Sequence, residues 1–98
     1  MNFEIAPKST EIQSNWHDAR LYCFSLNIDG KIGWRLPTKE ELNEIYQTEN
    51  DFETNWYWSS TENNGSYAWA QSFGNGNQAS YGYKSHGSTY VRAIRSTI

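Results

Sequence analysis

The sequence has little of what staples a small fold, binds metal or crosses a membrane. Cysteine occurs once, at Cys23, which rules out an intrachain disulfide framework and leaves the redox compartment open. The only histidines are His17 and His86, and with one Cys between them no spacing suggests a zinc site. No window approaches the ~18 apolar residues of a membrane span, and residues 1–4 lack the basic start and apolar core of a signal peptide; direct membrane insertion is not expected. Charge is scarce in one place in particular. Residues 1–62 hold eleven acids against five bases, whereas residues 63–98 hold only Lys84, Arg92 and Arg95, and no acid. Three scattered bases make no phosphate-reading patch, so nucleic acid is not an expected partner.

What is present is a 98-residue chain, read as a single domain over residues 1–98 that buries roughly two thirds of its unfolded surface and folds without metal or disulfide. Its most informative part is residues 63–90. Of these 28 residues, 23 are Asn, Ser, Tyr, Gly, Ala, Thr or His, and the others are Trp69, Gln71, Phe73, Gln78 and Lys84. Tyrosine offers a large rigid contact surface for little lost rotamer freedom, while Ser, Gly and Asn supply adaptable hydrogen bonding, the chemistry of an evolved binding surface. The plainer reading is a polar, glycine-rich β-meander with a Tyr-rich outer face. Tyr67, Tyr81, Tyr83 and Tyr90 have Gly, Ser and Ala nearby, which would pack poorly around a buried ring, so they are expected to be exposed. The candidate ligand-contacting set is Asn64, Ser66, Tyr67, Ser72, Asn75, Asn77, Tyr81, Tyr83, His86, Ser88 and Tyr90.

The rest of the chain reads as two helices followed by strands. Residues 2–6 alternate and form an edge strand ended by Pro7. Trp16, Ala19, Cys23 and Leu26, widened by Tyr22, make one helical stripe, with Ser14 or Asn15 as N-cap. Asp29-Gly30 is expected to end that helix in a left-handed turn and lead into residues 31–35. Thr38 and Glu41 form a capping box after Pro37, just before Leu42, Ile45 and Tyr46. Residues 56–60 are strand-like. Residues 67–73 alternate, with Trp69, Gln71 and Phe73 on one face and Ala68, Ala70 and Ser72 on the other; a Gly74-Asn75-Gly76-Asn77 turn leads into residues 78–84. The last strand spans residues 90–95. Helices first and antiparallel strands after predict an α+β domain with two helices packed on a small antiparallel sheet.

Gly33-Trp34-Arg35-Leu36-Pro37-Thr38 followed by Glu41-Leu42, then Tyr57-Trp58-Ser59-Ser60-Thr61-Glu62, Ala68-Trp69, Phe73, Gly76 and Val91-Arg92-Ala93-Ile94-Arg95 resemble the Lcl C-terminal-like family of small C-type-lectin-fold domains, across nearly the whole chain. The resemblance implies a C-type-lectin-like fold of the kind found on bacterial surface proteins and phage fibres, binding glycans or other receptors. It also implies a cell-surface, secreted or virion location within a larger protein or assembly. A narrower resemblance is to the variable proteins of diversity-generating retroelements, whose hypervariable stretch lies between a Trp-Ser-Ser-like motif and a Val-Arg-x-x-Arg-like ending. Adenine-directed mutagenesis of Asn codons there yields Asn, Ser, Tyr, Gly, Ala, His, Thr and Asp. The set at residues 63–90 fits, and Trp69, Gln71, Gln78 and Lys84, which those codons do not reach, read as fixed scaffold.

Enzymatic readings find little support in the residues. His17 and Cys23 are six apart, on different faces of a helix, and make no nucleophile–base pair. The Glu-Pro-Asn and Gln-Pro-Asp motifs of calcium-dependent lectins have no counterpart, since the only prolines are Pro7 and Pro37. Asn27-Ile28-Asp29-Gly30 lacks the repeated carboxylates of a calcium loop. No metal or other cofactor is expected. The structural set implied by the family pattern is Trp34, Arg35, Leu36, Pro37, Trp58, Ser59, Ser60, Trp69, Arg92 and Arg95, with Trp34, Trp58 and Trp69 filling the core and the arginines bracing loops or pairing with Glu41 or Glu62. The reading is a non-enzymatic module that binds a protein or glycan receptor on a target cell surface. Two alternatives stand beside it. A glycan- or glycosaminoglycan-binding adhesin domain would need exposed Trp or a basic groove; a trimeric fibre tip, a homo-oligomer, would bury the Tyr face between copies.

Overall fold

A computed structural model describes residues 2–98. The fold is α+β, but the strands form two sheets rather than one. A three-stranded antiparallel sheet has the order β1 (Phe3–Ile5), β8 (Ile94–Ser96), β3 (Trp34–Arg35). A five-stranded sheet has the order β2 (Ile12–Gln13), β7 (Tyr90–Val91), β4 (Trp56–Glu62), β5 (Tyr67–Ser72), β6 (Gln78–Tyr83). The latter is mixed, because β4 and β7 run parallel, with Tyr57 opposite Tyr90. Among the described residues no helix is long and apolar enough to cross a membrane.

The predicted final strand is therefore two short strands belonging to different sheets. The chain changes sheets at Arg92-Ala93, where a buried guanidinium holds it: Arg92 Nε donates to the Ala6 carbonyl (2.6 Å), Nη1 to Glu11 (2.7 Å) and Nη2 to Asp51 (2.9 Å). One strand could not satisfy these three acceptors and both sheets. The same crossing brings the chain's ends together, with Phe3 opposite Ser96 and Ile5 opposite Ile94.

Helix α1 (Trp16–Ser25) starts at Asn15, whose side chain accepts from the Asp18 N–H (2.9 Å), and buries Trp16, Ala19 and Cys23. It stops earlier than expected. Leu26 is already extended, and the left-handed pair Asp29 (φ 53°) and Gly30 (φ 85°) instead closes a separate turn between Ile28 and Lys31. Helix α2 (Lys39–Thr48) has the predicted capping box: Thr38 Oγ1 accepts from the Glu41 N–H (3.2 Å) and the Glu41 carboxylate accepts from the Thr38 N–H (2.8 Å). It buries Leu42 and Ile45, and each such side chain contributes roughly 1.5–3 kcal/mol by leaving water.

The main core joins α1 to the sheets through Trp16, Ala19, Cys23, Trp34, Leu36, Trp58, Ala68, Ala70 and Val91. A smaller cluster of Phe3, Ile45 and Ile94 closes the seam between the chain ends, with Phe52 and Phe73 packed against it.

Candidate functional site

Strands β4, β5 and β6 place small residues on one face. Trp58 lies opposite Ala70, Ala70 opposite Ala79, and Ala68 opposite Gly82. Trp56, two residues before Trp58, points to the same face, but the two indoles end differently. Trp58 is buried and its N–H donates to the Ser14 carbonyl (2.8 Å), whereas Trp56 is 41% exposed. The five-stranded order forces the chain leaving β6 at the sheet edge to cross β5 and β4 before it can form β7. That crossover, residues 84–89, forms one wall of a cleft of about 380 Å³. Its base is alanine and glycine (Ala70, Ala79, Gly82), and around it stand Trp56, Tyr81, Tyr83, His86, Ser88, Thr89 and Asn55.

The foot of the crossover is fixed by the buried Lys84. Its Nζ lies 3.5 Å from Glu62 and 4.4 Å from the centre of the Trp16 ring, and its carbonyl accepts from the Trp16 N–H (2.9 Å). Gly82 is required by its neighbours: a Cβ there would come within 2.7 Å of the Ala68 carbonyl and 2.9 Å of the Trp58 ring.

The eleven predicted contact residues do not form one surface. Tyr81, Tyr83, His86 and Ser88 meet at the cleft. Tyr83 also stacks edge-on against Tyr67 (5.0 Å), which links the cleft to the β4–β5 turn, where Asn64 Oδ1 accepts from the N–H groups of Ser66 and Tyr67. Asn75 and Asn77 are exposed on the β5–β6 turn, tied by Asn75 Oδ1 accepting from the Asn77 N–H (3.0 Å), with left-handed Gly76 pressed against Tyr46. Three expected positions differ: Tyr67, expected to be exposed, is half-buried because its ring packs against Tyr83. Ser72 is buried, because it shares the inward face of β5 with Ala68 and Ala70, and its hydroxyl accepts from the Gly74 N–H (3.2 Å). Tyr90 is half-buried, its ring 5.4 Å from Tyr57, because β7 is an interior strand.

In the structural set, Trp34, Leu36, Pro37, Trp58 and Ser59 are buried. Ser59 donates to the Trp69 carbonyl (2.6 Å), and the Ser60 N–H donates to the Pro37 carbonyl (2.7 Å), which docks the start of α2 onto β4. Arg35 grips Glu41 through both nitrogens (2.7 and 2.9 Å) and holds that carboxyl well below its ordinary 4.5, at about 2. Arg95 pairs with Glu4 (2.7 Å). Trp69 also departs from its expected place in the core. It lies half-buried outside the core with Lys39 Nζ 3.8 Å from its ring centre. That face of β5 is covered by α2 and, at the Phe73 end, by Phe52 and Tyr57, and its buried member is Gln71, which donates to Asn43 (3.0 Å) and the Gly76 carbonyl (3.1 Å).

Trp56, Asn55, Thr89 and Ala79 were not among the predicted contacts. The two-residue spacing of Trp56 and Trp58 puts both on one face, and the polar run 53–55 just before Trp56 is the signal that its end of the strand lies uncovered. Cys23 is buried and its thiol is pushed up to about 12, so it stays protonated at neutral pH. No cluster of three or more His, Cys, Asp or Glu side chains placed to hold a metal ion occurs among the described residues.

Two helices, two sheets and a cleft roofed on one side by a crossover loop define a small α+β domain that presents a preformed depression. The chain belongs to the Lcl C-terminal domain family, whose profile it matches over residues 4–95. No curated protein matches it closely enough to count as a relative.

Proposed function

We propose that the chain is a non-enzymatic binding module that takes its ligand, a protein or glycan receptor, in the cleft between β4–β6 and the 84–89 crossover. The observation that carries this reading is the pairing of two exposed aromatic rings, Trp56 and Tyr81, over an alanine base in a chain whose other large aromatics mostly pack inward. Rigid rings around a small-residue base offer contact area without losing much side-chain entropy on binding, which is what a hot spot requires. Diversification by a retroelement fits the same layout, since Asn64, Ser66, Asn75, Asn77, Tyr81, Tyr83, His86 and Ser88 are all exposed.

Mapping of amide shifts with a mixed panel of short peptides and saccharides tests the location. Binders should move Trp56, Tyr81, His86 and Ser88 together. A second depression, beside the exposed Leu21 and Phe24 of α1, is the natural competitor, and binders that map only there would contradict the proposal.

A further inference from the structure

We propose that Asn64-Gly65, in the β4–β5 turn, is a site of self-modification: the Gly65 nitrogen closes on the Asn64 side chain, and hydrolysis of the ring leaves aspartate or isoaspartate. The inference is independent of what the cleft binds.

The reaction needs only water. The Gly65 backbone nitrogen, losing its proton to solvent, attacks Asn64 Cγ and pushes an electron pair onto Oδ1. That pair returns as the bond from Cγ to the side-chain nitrogen breaks, and the nitrogen leaves as ammonia with a proton from water. The product is a five-membered succinimide. Water then opens either of the two ring carbonyls, so the sum is asparagine plus water giving a carboxylic acid and ammonia, with nothing oxidised or reduced.

The fold selects this pair over others like it. Glycine hinders such a ring closure least, because it has no Cβ, and the chain has three Asn-Gly or Asp-Gly pairs: Asp29-Gly30, Asn64-Gly65 and Asn75-Gly76. In two of them the nucleophile is occupied. The Gly30 N–H donates to Asn27 Oδ1 (2.9 Å) and the Gly76 N–H to the Ser72 carbonyl (2.8 Å), with Gly76 also pressed against Tyr46. Among the described residues the Gly65 N–H makes no hydrogen bond, and Asn64, Gly65 and Ser66 are all exposed.

The electrophile is prepared as well. Asn64 Oδ1 accepts from the N–H groups of Ser66 (2.8 Å) and Tyr67 (3.0 Å). Both distances lie within the roughly 2.7–3.1 Å at which fixed donors stabilise a developing oxyanion, and Oδ1 is the atom on which the charge develops. Asn75 Oδ1 has one such donor, the Asn77 N–H (3.0 Å).

The product changes the surface around it. Residues 63–98 contain no acid, so the reaction places a carboxylate where the sequence has none. In the isoaspartate form the side-chain carbon joins the main chain, which undoes the turn. Tyr67 packs against Tyr83 (5.0 Å) at the cleft, and the Ser66 carbonyl accepts from the Lys84 N–H (3.0 Å), so the turn is tied to the foot of the crossover.

The test incubates the full chain at mildly alkaline pH in heavy-oxygen water and maps its peptides by mass spectrometry that separates aspartate from isoaspartate. Position 64 should convert about tenfold faster than position 75 or more, the ratio that one hydrogen bond held by the nucleophile supports, and each event should take up solvent oxygen. In guanidinium, where the turns are lost, the two rates should converge. Gly65→Ala, at a glycine with open space around it and no left-handed φ, should remove most of the modification and leave the melting temperature unchanged. A native rate at position 75 equal to that at position 64 would overturn the proposal. So would a position 64 that reacts more slowly in the folded chain than in guanidinium, because the turn would then protect the side chain rather than activate it.

Discussion

The seam where the chain's ends meet and the β5–β6 hairpin beside the cleft are built from opposite materials. At the seam, Glu4 pairs with Arg95 and Lys31, Arg35 with Glu41, and Arg92 with Glu11 and Asp51 around Phe3, Ile45 and Ile94. In the hairpin and the crossover after it, the one charged side chain is the buried Lys84. Arg92–Glu11 is buried on both sides, so removing either partner leaves the other desolvated, while the part-exposed pairs fix register through directional, geometrically matched hydrogen bonds and contribute less. Most hydroxyls and amides facing water beside the cleft make no such contact and can change at little cost, except Asn64 and Asn75, whose side chains accept turn N–H groups. Shape is held by the core and the buried Arg92–Glu11 pair, and under the proposed function the surface beside the cleft is where variation is tolerated.

The contrast can be broken most forcefully at the seam. Arg92→Ala leaves Glu11 buried without its cation and should cost about 3–5 kcal/mol, read as a lower urea midpoint with an unchanged slope. Trp58→Ala, which opens a cavity beside Trp16, should fall in the same range of about 3–5 kcal/mol.

Acid should act on the seam before it acts on the hairpin. Glu41 titrates at about 2 in the folded chain against an ordinary 4.5, so folding holds its proton off. The stabilisation from Arg35–Glu41 is fully present above pH 4.5 and is lost as pH falls toward 2. Glu41→Gln should therefore flatten the fall in melting temperature across that window; an unchanged profile would show that other carboxylates govern it.

A smaller effect separates two tryptophans. Trp69→Ala, on the half-covered face beneath Lys39, should cost about 1 kcal/mol, a typical value for a substitution outside the core and well below that of Trp58→Ala. Equal losses in paired urea melts would place Trp69 in the core after all.

These same residues show how far the sequence could be read. The capping box at Thr38 and Glu41, the α1 stripe and the alternation along β5 were all legible, because each depends on spacing within one element. Alternation shows that Trp69 and Ser72 face opposite ways, but not which face is covered. That depends on the main core gathering at Ala68 and Ala70, and on α2 reaching only part of the other side. The strand break at Arg92 was hidden for the same reason, since its cause is three acceptors from residues 6, 11 and 51. Of the residues lining the cleft, Tyr81, Tyr83, His86 and Ser88 had been singled out by composition. Trp56 was missed because its exposure is set by where the covering elements end.

The separation of scaffold from display surface is tested most directly by a library randomised at Asn64, Ser66, Asn75, Asn77, Tyr81, Tyr83, His86 and Ser88, sorted for protease-resistant folding independently of any binding. Exposed substitutions away from caps and core usually stay within ~0.5 kcal/mol, so most members should fold while their ligand preferences diverge, the losses falling on members changed at Asn64 and Asn75, whose side chains accept turn N–H groups. A library in which most members fail to fold would contradict the account, and would make this surface a subunit interface of the kind a fibre tip needs.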